Sequence, residues 1–225
     1  SNAAIVKTIV TTELARAIAS SYGAVTFDVL TGFKFIGEKI KEWEKSKQYT
    51  FMFGYEESYG YLSGTHARDK DAVVASMLFA EMACYYQSIG SSVYKRLIEI
   101  FEKFGYYVEK SVSIFYSGLD GMDKMKKIMD FAREGKLNAI ANAKVLAKND
   151  LVARVKTYAD GKTEAIDLPK TNAIKWNLEN GDWVCVRPSG TEPKLKIYVA
   201  TKADTKDKAT LVAEGYVDFM KNYLA

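Results

Sequence analysis

One histidine, two cysteines and three prolines are all that 225 residues hold of those types, and each scarcity narrows the chemistry open to the chain. With His66 alone, a histidine-rich metal centre is excluded, and any histidine-dependent triad must use that residue. Cys84 and Cys185 stand in apolar runs about a hundred residues apart, with no CxxC spacing and no companion histidines, so both are expected to be buried and reduced. No stretch approaches the ~20 uninterrupted apolar residues of a membrane span. The N-terminus lacks the basic, apolar and small-residue blocks of a signal peptide, so the expectation is a cytoplasmic protein with no membrane partner. Ser1-Asn2-Ala3 has the look of a remnant of tag cleavage and is set outside the fold.

An excess of one charge is missing as well. Lys plus Arg total 32 against 28 Asp plus Glu, a net +4 spread along the chain. A polyanion binder needs clustered charge. The densest basic stretch, Lys124 to Lys127, alternates with apolar residues at helical spacing, which reads as a solvated helix face, and no nucleic-acid partner is expected. What the chain does have is 48% apolar and 27% charged residues, enough for one large core or two ordinary ones.

The first half repeats one unit three times: a β-branched or aromatic run, a polar or glycine-bearing turn, then a helical pattern. The runs are 4–10, 24–30 and 49–54, and the patterns after them cover about 12–21, 34–45 and 70–89. This is a βαβ series, which implies parallel strands in an α/β domain. In the third pattern Val73, Met77, Ala80 and Cys84 form one stripe beside Val74, Leu78, Glu81 and Tyr85, so that helix is expected to be mostly buried. Asp69 or Asp71 supplies a carboxylate at its N-terminus.

A further helical pattern, 92–104, ends at Gly105, where the character of the sequence changes. The domains are therefore placed at 4–105 and 106–225. The second opens with an alternating run to Tyr116 and a lysine-rich helix near 121–135. Strands follow, with hairpin signals at Asp160-Gly161 and Asn180-Gly181, and a helix near 207–223 closes the chain. The two dipeptides predict two-residue type I′ turns. This is a smaller α+β domain with an antiparallel sheet and helices on one face.

In an open parallel sheet, ligands bind outside the carboxyl ends of the strands, so the turns after the three strands should share one rim. The second turn, Thr31-Gly32-Phe33-Lys34, combines a glycine with a helix N-terminus; it reads as an anion approach or as a plain tight turn. The third, Gly54-Tyr55-Glu56-Glu57-Ser58-Tyr59-Gly60, frames two acids and a hydroxyl with glycines. It suits hydrogen bonds to sugar hydroxyls, or the acid-decorated first turn of a helix. His66, Arg68 and Lys70 follow in the same loop and suit an anionic substrate that also needs a proton moved, although a loop histidine can equally be structural. In the second domain, Arg187-Pro188-Ser189-Gly190-Thr191-Glu192-Pro193-Lys194 links two strands. A guanidinium fork, two hydroxyls and a glycine-opened nest suit a phosphate; an ordinary hairpin loop is the other reading.

The segments 54–60 and 187–194, in this order and spacing, together with Thr31-Gly32-Phe33-Lys34, resemble the α-D-phosphohexomutase superfamily, the closest look being to bacterial phosphoglucomutases and phosphomannomutases. The resemblance runs over essentially the whole chain. Members have four domains, and it implies that this chain holds most of the third, a three-layer αβα domain with a mainly parallel sheet, and all of the fourth. The stretch bearing the phosphorylated serine and the Asp-Gly-Asp metal loop have no counterpart here, so the chain is expected to be a fragment, inactive alone, whose partners include the missing N-terminal domains.

By the same resemblance, Glu56 and Ser58 hold sugar hydroxyls, with Gly32 and Phe33 lining the sugar cleft. Arg187, Ser189, Gly190 and Thr191 grip a phosphate, Lys7 is a further phosphate contact, and His66 or Lys70 is the proton acceptor. The substrate is a hexose phosphate, interconverted between its 1- and 6-phosphates through a bisphosphate. No cofactor or metal is bound by these residues, while the full-length enzyme is implied to need Mg2+ and a hexose 1,6-bisphosphate activator. A stand-alone sugar-phosphate binding or regulatory module is the alternative.

Overall fold

The computed structural model describes residues 2–116, 120–190 and 192–224. The chain divides into two units, Ser1–Gly105 and Tyr106–Ala225.

In the first unit the order is β1 (Ala3–Thr8), α1 (Leu14–Ser21), β2 (Val25–Val29), α2 (Phe33–Ser46), β3 (Thr50–Tyr55), β4 (Tyr61–Ser63), α3 (Ala72–Ser88) and α4 (Val93–Phe104). The sheet order is β2-β1-β3-β4. β1 pairs in parallel with both β2 and β3, while β4 folds back antiparallel on β3. From β1 the chain crosses one way to β2 and then back over β1 to β3. Right-handed crossovers therefore put α1 and α2 on opposite faces. Alternate β1 residues Ala4 and Val6 meet Phe33, Ile36, Ile40 and Trp43 of α2 in the core of this unit. A parallel edge that reverses at β1 leaves a switch point at the carboxyl ends of β1 and β3, where the turns after the strands gather.

β4 is not in the sequence reading. Its three residues carry no pattern of their own and become a strand only by pairing with β3. A second difference concerns α3, which is expected to be mostly buried and has no buried residue. Val73, Met77 and Phe79 are 79%, 57% and 58% exposed. The reason is placement: within this unit α3 packs on the edge strand β4 and on α4, not on the sheet's centre, and a helix apolar on every side cannot bury all of them there. Cys84 on this helix is exposed, against expectation, while Cys185 is buried; neither forms a disulfide. Among the described residues no single helix is long and apolar enough to cross a membrane; α3 and α4 reach that composition only together, across a 90° bend.

The second unit runs β5 (Tyr106–Phe115), α5 (Gly121–Glu134), β6 (Ala139–Ile140), β7 (Ala143–Asp150), β8 (Val155–Tyr158), β9 (Thr163–Ala165), β10 (Ile174–Leu178), β11 (Trp183–Pro188), β12 (Lys194–Ala203) and α6 (Lys206–Tyr223). Its sheet is antiparallel in the order β5-β12-β11-β10-β7-β8-β9, with β6 on β7. Ile174, Trp176, Val184, Val186, Leu195 and Ile197 alternate onto one face, where they meet Met125 and Met129 of α5 and Tyr216, Val217 and Met220 of α6.

The two hairpin dipeptides do close hairpins, but not as type I′ turns. Only the glycines, Gly161 (φ 87) and Gly181 (φ 85), take positive φ; Asp160 and Asn180 do not. The pairs Gly161 N to Tyr158 O and Tyr158 N to Lys162 O make a three-residue loop, as do Gly181 N to Leu178 O and Leu178 N to Asp182 O. This is a type I turn closed by a glycine bulge. The acidic or amide side chain decides it: Asp160 Oδ1 accepts from Lys162 N and Asn180 Oδ1 from Asp182 N, which holds those residues right-handed.

Candidate functional site

At the carboxyl edge of the first sheet, β1, β2 and β3 deliver their turns to one rim. Gly32, the cap of α2, has φ 123, a conformation that a side chain disfavours. Its N–H donates to Glu56 Oε1 at 2.7 Å, which joins the second turn to the third. Glu56 is 7% exposed, and its own N–H donates to Gly60 O at 2.9 Å, closing the loop on itself. A β-carbon at Gly60 would lie 3.2 Å from Glu56 Oε2 and 3.3 Å from Lys70 Cδ and Phe33 Cδ2. Glycine is what lets those three side chains meet. Ser58 is exposed at the loop tip. The structure thus gathers Gly32, Phe33, Glu56 and Lys70, with Ser58 on the same loop.

The adjacent acid, Glu57, is noted in the sequence only as the second acid of the 54–60 turn, with no role of its own. Its Oε2 accepts from the Thr8 hydroxyl at 3.0 Å and the Thr11 hydroxyl at 3.2 Å, and those hydroxyls lie 2.6 Å apart. Glu57 latches the third turn to the first; the threonines at the end of β1 were the available signal. Lys7 is fully buried. Its ammonium donates to Glu13 Oε1 at 2.9 Å, Thr8 O at 3.2 Å and Thr11 O at 3.1 Å, which uses its three protons. Asp28 Oδ1 adds an ion contact at 2.9 Å. Such an ammonium has no proton left for a ligand, so its charge serves the fold.

His66 Nε2 lies 2.8 Å from Asp71 Oδ2, and Asp71 Oδ1 caps α3 through Val73 N and Val74 N. The bond from His66, then that from Val74 N, holds the Asp71 carboxyl below its usual range. Lys70 pairs with Asp69 at 3.0 Å. That hydrogen bond raises the Lys70 ammonium above its ordinary value, with a smaller push from the Glu56 charge. Lys70 therefore keeps its proton more firmly than a free lysine, as suits a fixed cation. Beside this rim, an apolar groove of about 790 Å3 runs between the β3–β4 hairpin and α3, lined by Phe53, Tyr59, Tyr61 and Phe79 with Lys70 among them.

In the second unit Arg187 stands near the end of β11, opposite Lys196 on β12. Ser189 N donates to Lys194 O at 2.8 Å, and Lys194 pairs with Glu192, so the hairpin loop is closed by its own backbone. Gly190 faces open space. Thr191 lies outside the described residues. The Arg187 guanidinium has no hydrogen-bond or ion-pair partner among the described residues, whereas Arg16, Arg68, Arg96, Arg133 and Arg154 all have carboxylate partners.

Among the described residues no three His, Cys, Asp or Glu side chains gather as a metal cage. Asp69 and Asp71, the pair with a metal-like spacing, are committed to Lys70 and to the α3 cap. These residues do not fit a metal ion.

Residues 1–104 match the model of the phosphoglucomutase/phosphomannomutase alpha/beta/alpha domain III, and residues 129–216 match that of the phosphoglucomutase/phosphomannomutase C-terminal domain. A phosphoglucomutase of Staphylococcus saprophyticus is 35% identical over 207 residues, covering 92% of this chain and 37% of the relative. One of Staphylococcus haemolyticus is 33% identical over 214 residues, covering 95% and 38%. The chain thus spans little more than a third of the curated relatives it matches. Among solved structures, parafusin, a phosphoglucomutase of Paramecium in its open form, superposes with TM-score 0.64 at 17% identity, covering 97% of this chain and 37% of its own. A phosphoglucomutase/phosphomannomutase family protein of Burkholderia thailandensis gives 0.58 at 12%, covering 99% and 38%. At those identities the likeness is one of fold.

Proposed function

The chain belongs to the phosphoglucomutase/phosphomannomutase family, and on that premise we propose that it is the substrate-recognition part of a phosphohexomutase, an isomerase that interconverts hexose 1-phosphate and hexose 6-phosphate. The observation that carries this reading is the unpartnered guanidinium of Arg187 beside Ser189 and Gly190. A cation left without a carboxylate in a chain that pairs so many of its arginines is available for an anionic ligand.

In the first unit, Glu56 and Ser58 take sugar hydroxyls: Glu56 Oε2 and the Ser58 hydroxyl face the ligand, while Glu56 Oε1 stays on Gly32 N–H and fixes the carboxylate plane. Gly32 and Phe33 line that cleft. His66, oriented by Asp71, is the better proton acceptor of the two candidates, and Lys70 is the fixed cation. Lys7 acts indirectly by holding the first two turns. In the second unit Arg187, Ser189, Gly190 and Thr191 bind the phosphate. Phosphoryl transfer depends mainly on positioning and charge stabilisation, and these loops provide both. Mg2+ and a hexose 1,6-bisphosphate belong to the whole enzyme in this reading, and the 225-residue chain binds substrate without turning it over.

The test is an amide NMR titration of the chain with glucose 1-phosphate, with inorganic phosphate and glucose as controls. Shifts are expected at 187–190 with both phosphates and at 56–58 with the sugar phosphate. Arg187→Ala should weaken phosphate binding about tenfold, the scale of a lost charged hydrogen bond. No shift at 187–190 at millimolar phosphate would sink the phosphate-loop assignment.

A further inference from the structure

The second unit contains a concavity of about 550 Å3, lined by Arg187, Pro188, Ser189 and Gly190 and also by Lys126 and Asp123 of α5 and by Asn172. We propose that Lys126 and Asn172 form a second wall of the phosphate site, so that a phosphate monoester is gripped from α5 and from the 171–172 segment as well as by the loop. This inference rests on the reading of 187–191 as a phosphate loop and extends it to residues outside that motif.

The charges along α5 are divided. Lys124 pairs with Asp120 at 2.9 Å. Lys126 lines the concavity and has no carboxylate partner among the described residues, although Asp123, three positions before it, lines the same space. The concavity therefore carries an unpaired ammonium and a residue with an unpaired guanidinium. Among the described lining residues two cations, Lys126 and Arg187, stand against one carboxylate, Asp123, and a phosphate monoester with up to two negative charges offsets the excess of positive charge.

Asn172 adds a neutral donor whose direction is fixed. Its Oδ1 accepts from Arg133 Nη2 at 2.7 Å. An arginine only donates, so the amide oxygen must be the end turned to it. Arg133 is itself held by Asp150 at 3.2 Å and Asp130 at 3.3 Å. The Asn172 amino group is thus left as the end free to donate to a phosphate oxygen.

The distance between the walls is set by backbone. A β-carbon at Gly121, the start of α5, would fall 2.3 Å from Tyr116 O and 3.1 Å from Pro193 Cβ, and Tyr116 N donates to Pro193 O at 2.9 Å. The helix that carries Lys126 therefore rests directly on the loop that would hold the phosphate. With Met122, Met125 and Met129 also lining it, the space is of small-molecule size rather than that of a bare ion.

The experiment is calorimetric titration of the 225-residue chain with inorganic phosphate and with glucose 1-phosphate at low ionic strength. The variants are Lys126→Gln, Lys126→Arg, Asp123→Asn and Arg187→Ala, with folding checked by circular dichroism. Lys126→Gln should weaken both ligands about fivefold and Asp123→Asn should tighten them about twofold, the range of partly exposed charge pairs, while Lys126→Arg restores binding. Opposite signs at two neighbouring positions are not produced by a merely structural role. If both α5 variants bind as the parent does while Arg187→Ala is weakened, the second wall is overturned and the phosphate loop stands. If Arg187→Ala also binds as the parent, or the parent binds neither ligand, the loop assignment falls and the wall with it.

Discussion

Lys7→Met is expected to lower the stability of the first unit by about 3 kcal/mol, the low end for breaking a buried ion pair by removing one partner. Methionine fills nearly the same volume, so the loss is electrical rather than steric. Without the ammonium, the carbonyls of Thr8 and Thr11 have lost a donor in a region where Thr8 and Thr11 are 0% and 3% exposed. The carboxylates fare better, since Arg16 still reaches Glu13 at 2.8 Å and Asp28 at 2.5 Å, and both are partly exposed. This is why the loss should not reach the ~5 kcal/mol of a fully enclosed pair. Hydrogen exchange at β1 and β2 amides measures it within this unit alone. A change below ~1 kcal/mol, the scale of an exposed pair, would mean that water already reaches Nζ.

Asp182→Ala should cost the second unit about 2 to 3 kcal/mol, from buried donors left without an acceptor. Asp182 is 2% exposed and ties three elements together: Oδ1 accepts from Lys202 N at 2.9 Å, and Oδ2 from Tyr216 Oη at 2.9 Å and Asn180 Nδ2 at 2.7 Å. Burial raises the Asp182 carboxyl above its ordinary value, and the three hydrogen bonds offset only part of that. Burial also pushes the Tyr216 phenol up to about 12, with the Asp182 charge adding to the shift.

The sign of the pH dependence follows from that shift. Between the unfolded value near ~3.9 and the raised folded one, the native state binds the extra proton, so this group's contribution is complete at low pH and declines as pH rises through the folded value. Asp120, Asp160 and Asp204, each lowered by a lysine, work in the opposite direction. Comparison with Asp182→Asn isolates the one group: the stability difference, parent minus variant, should shrink as pH rises through that window. A difference that grows would contradict the burial argument.

Much of this was legible from the chain itself. The alternation of β-branched runs with helical patterns gave the parallel core, because those periods record which side of each element is buried. The rim could be placed because an α/β sheet puts its turns at one edge. The missing parts were those decided between elements. Whether α3 is covered depends on where β4 lies, not on the α3 sequence. Asp-Gly and Asn-Gly announce a turn, but the choice between turn types rested on a side-chain bond to the residue two ahead. The pair Glu56-Glu57 reads as one acidic signal, yet one carboxylate holds Gly32 and the other holds two threonines; only the folded backbone separates them. Lys7 was placed among ligand contacts by the family resemblance, whereas three acceptors from its own turn consume its protons.

The bare faces of α3 carry a consequence for calorimetry. Seventeen residues of helix with none buried release little apolar surface on unfolding, and it is that surface which sets the heat-capacity increment and the denaturant slope. The first unit should therefore melt with the heat capacity of a domain appreciably shorter than its 105 residues.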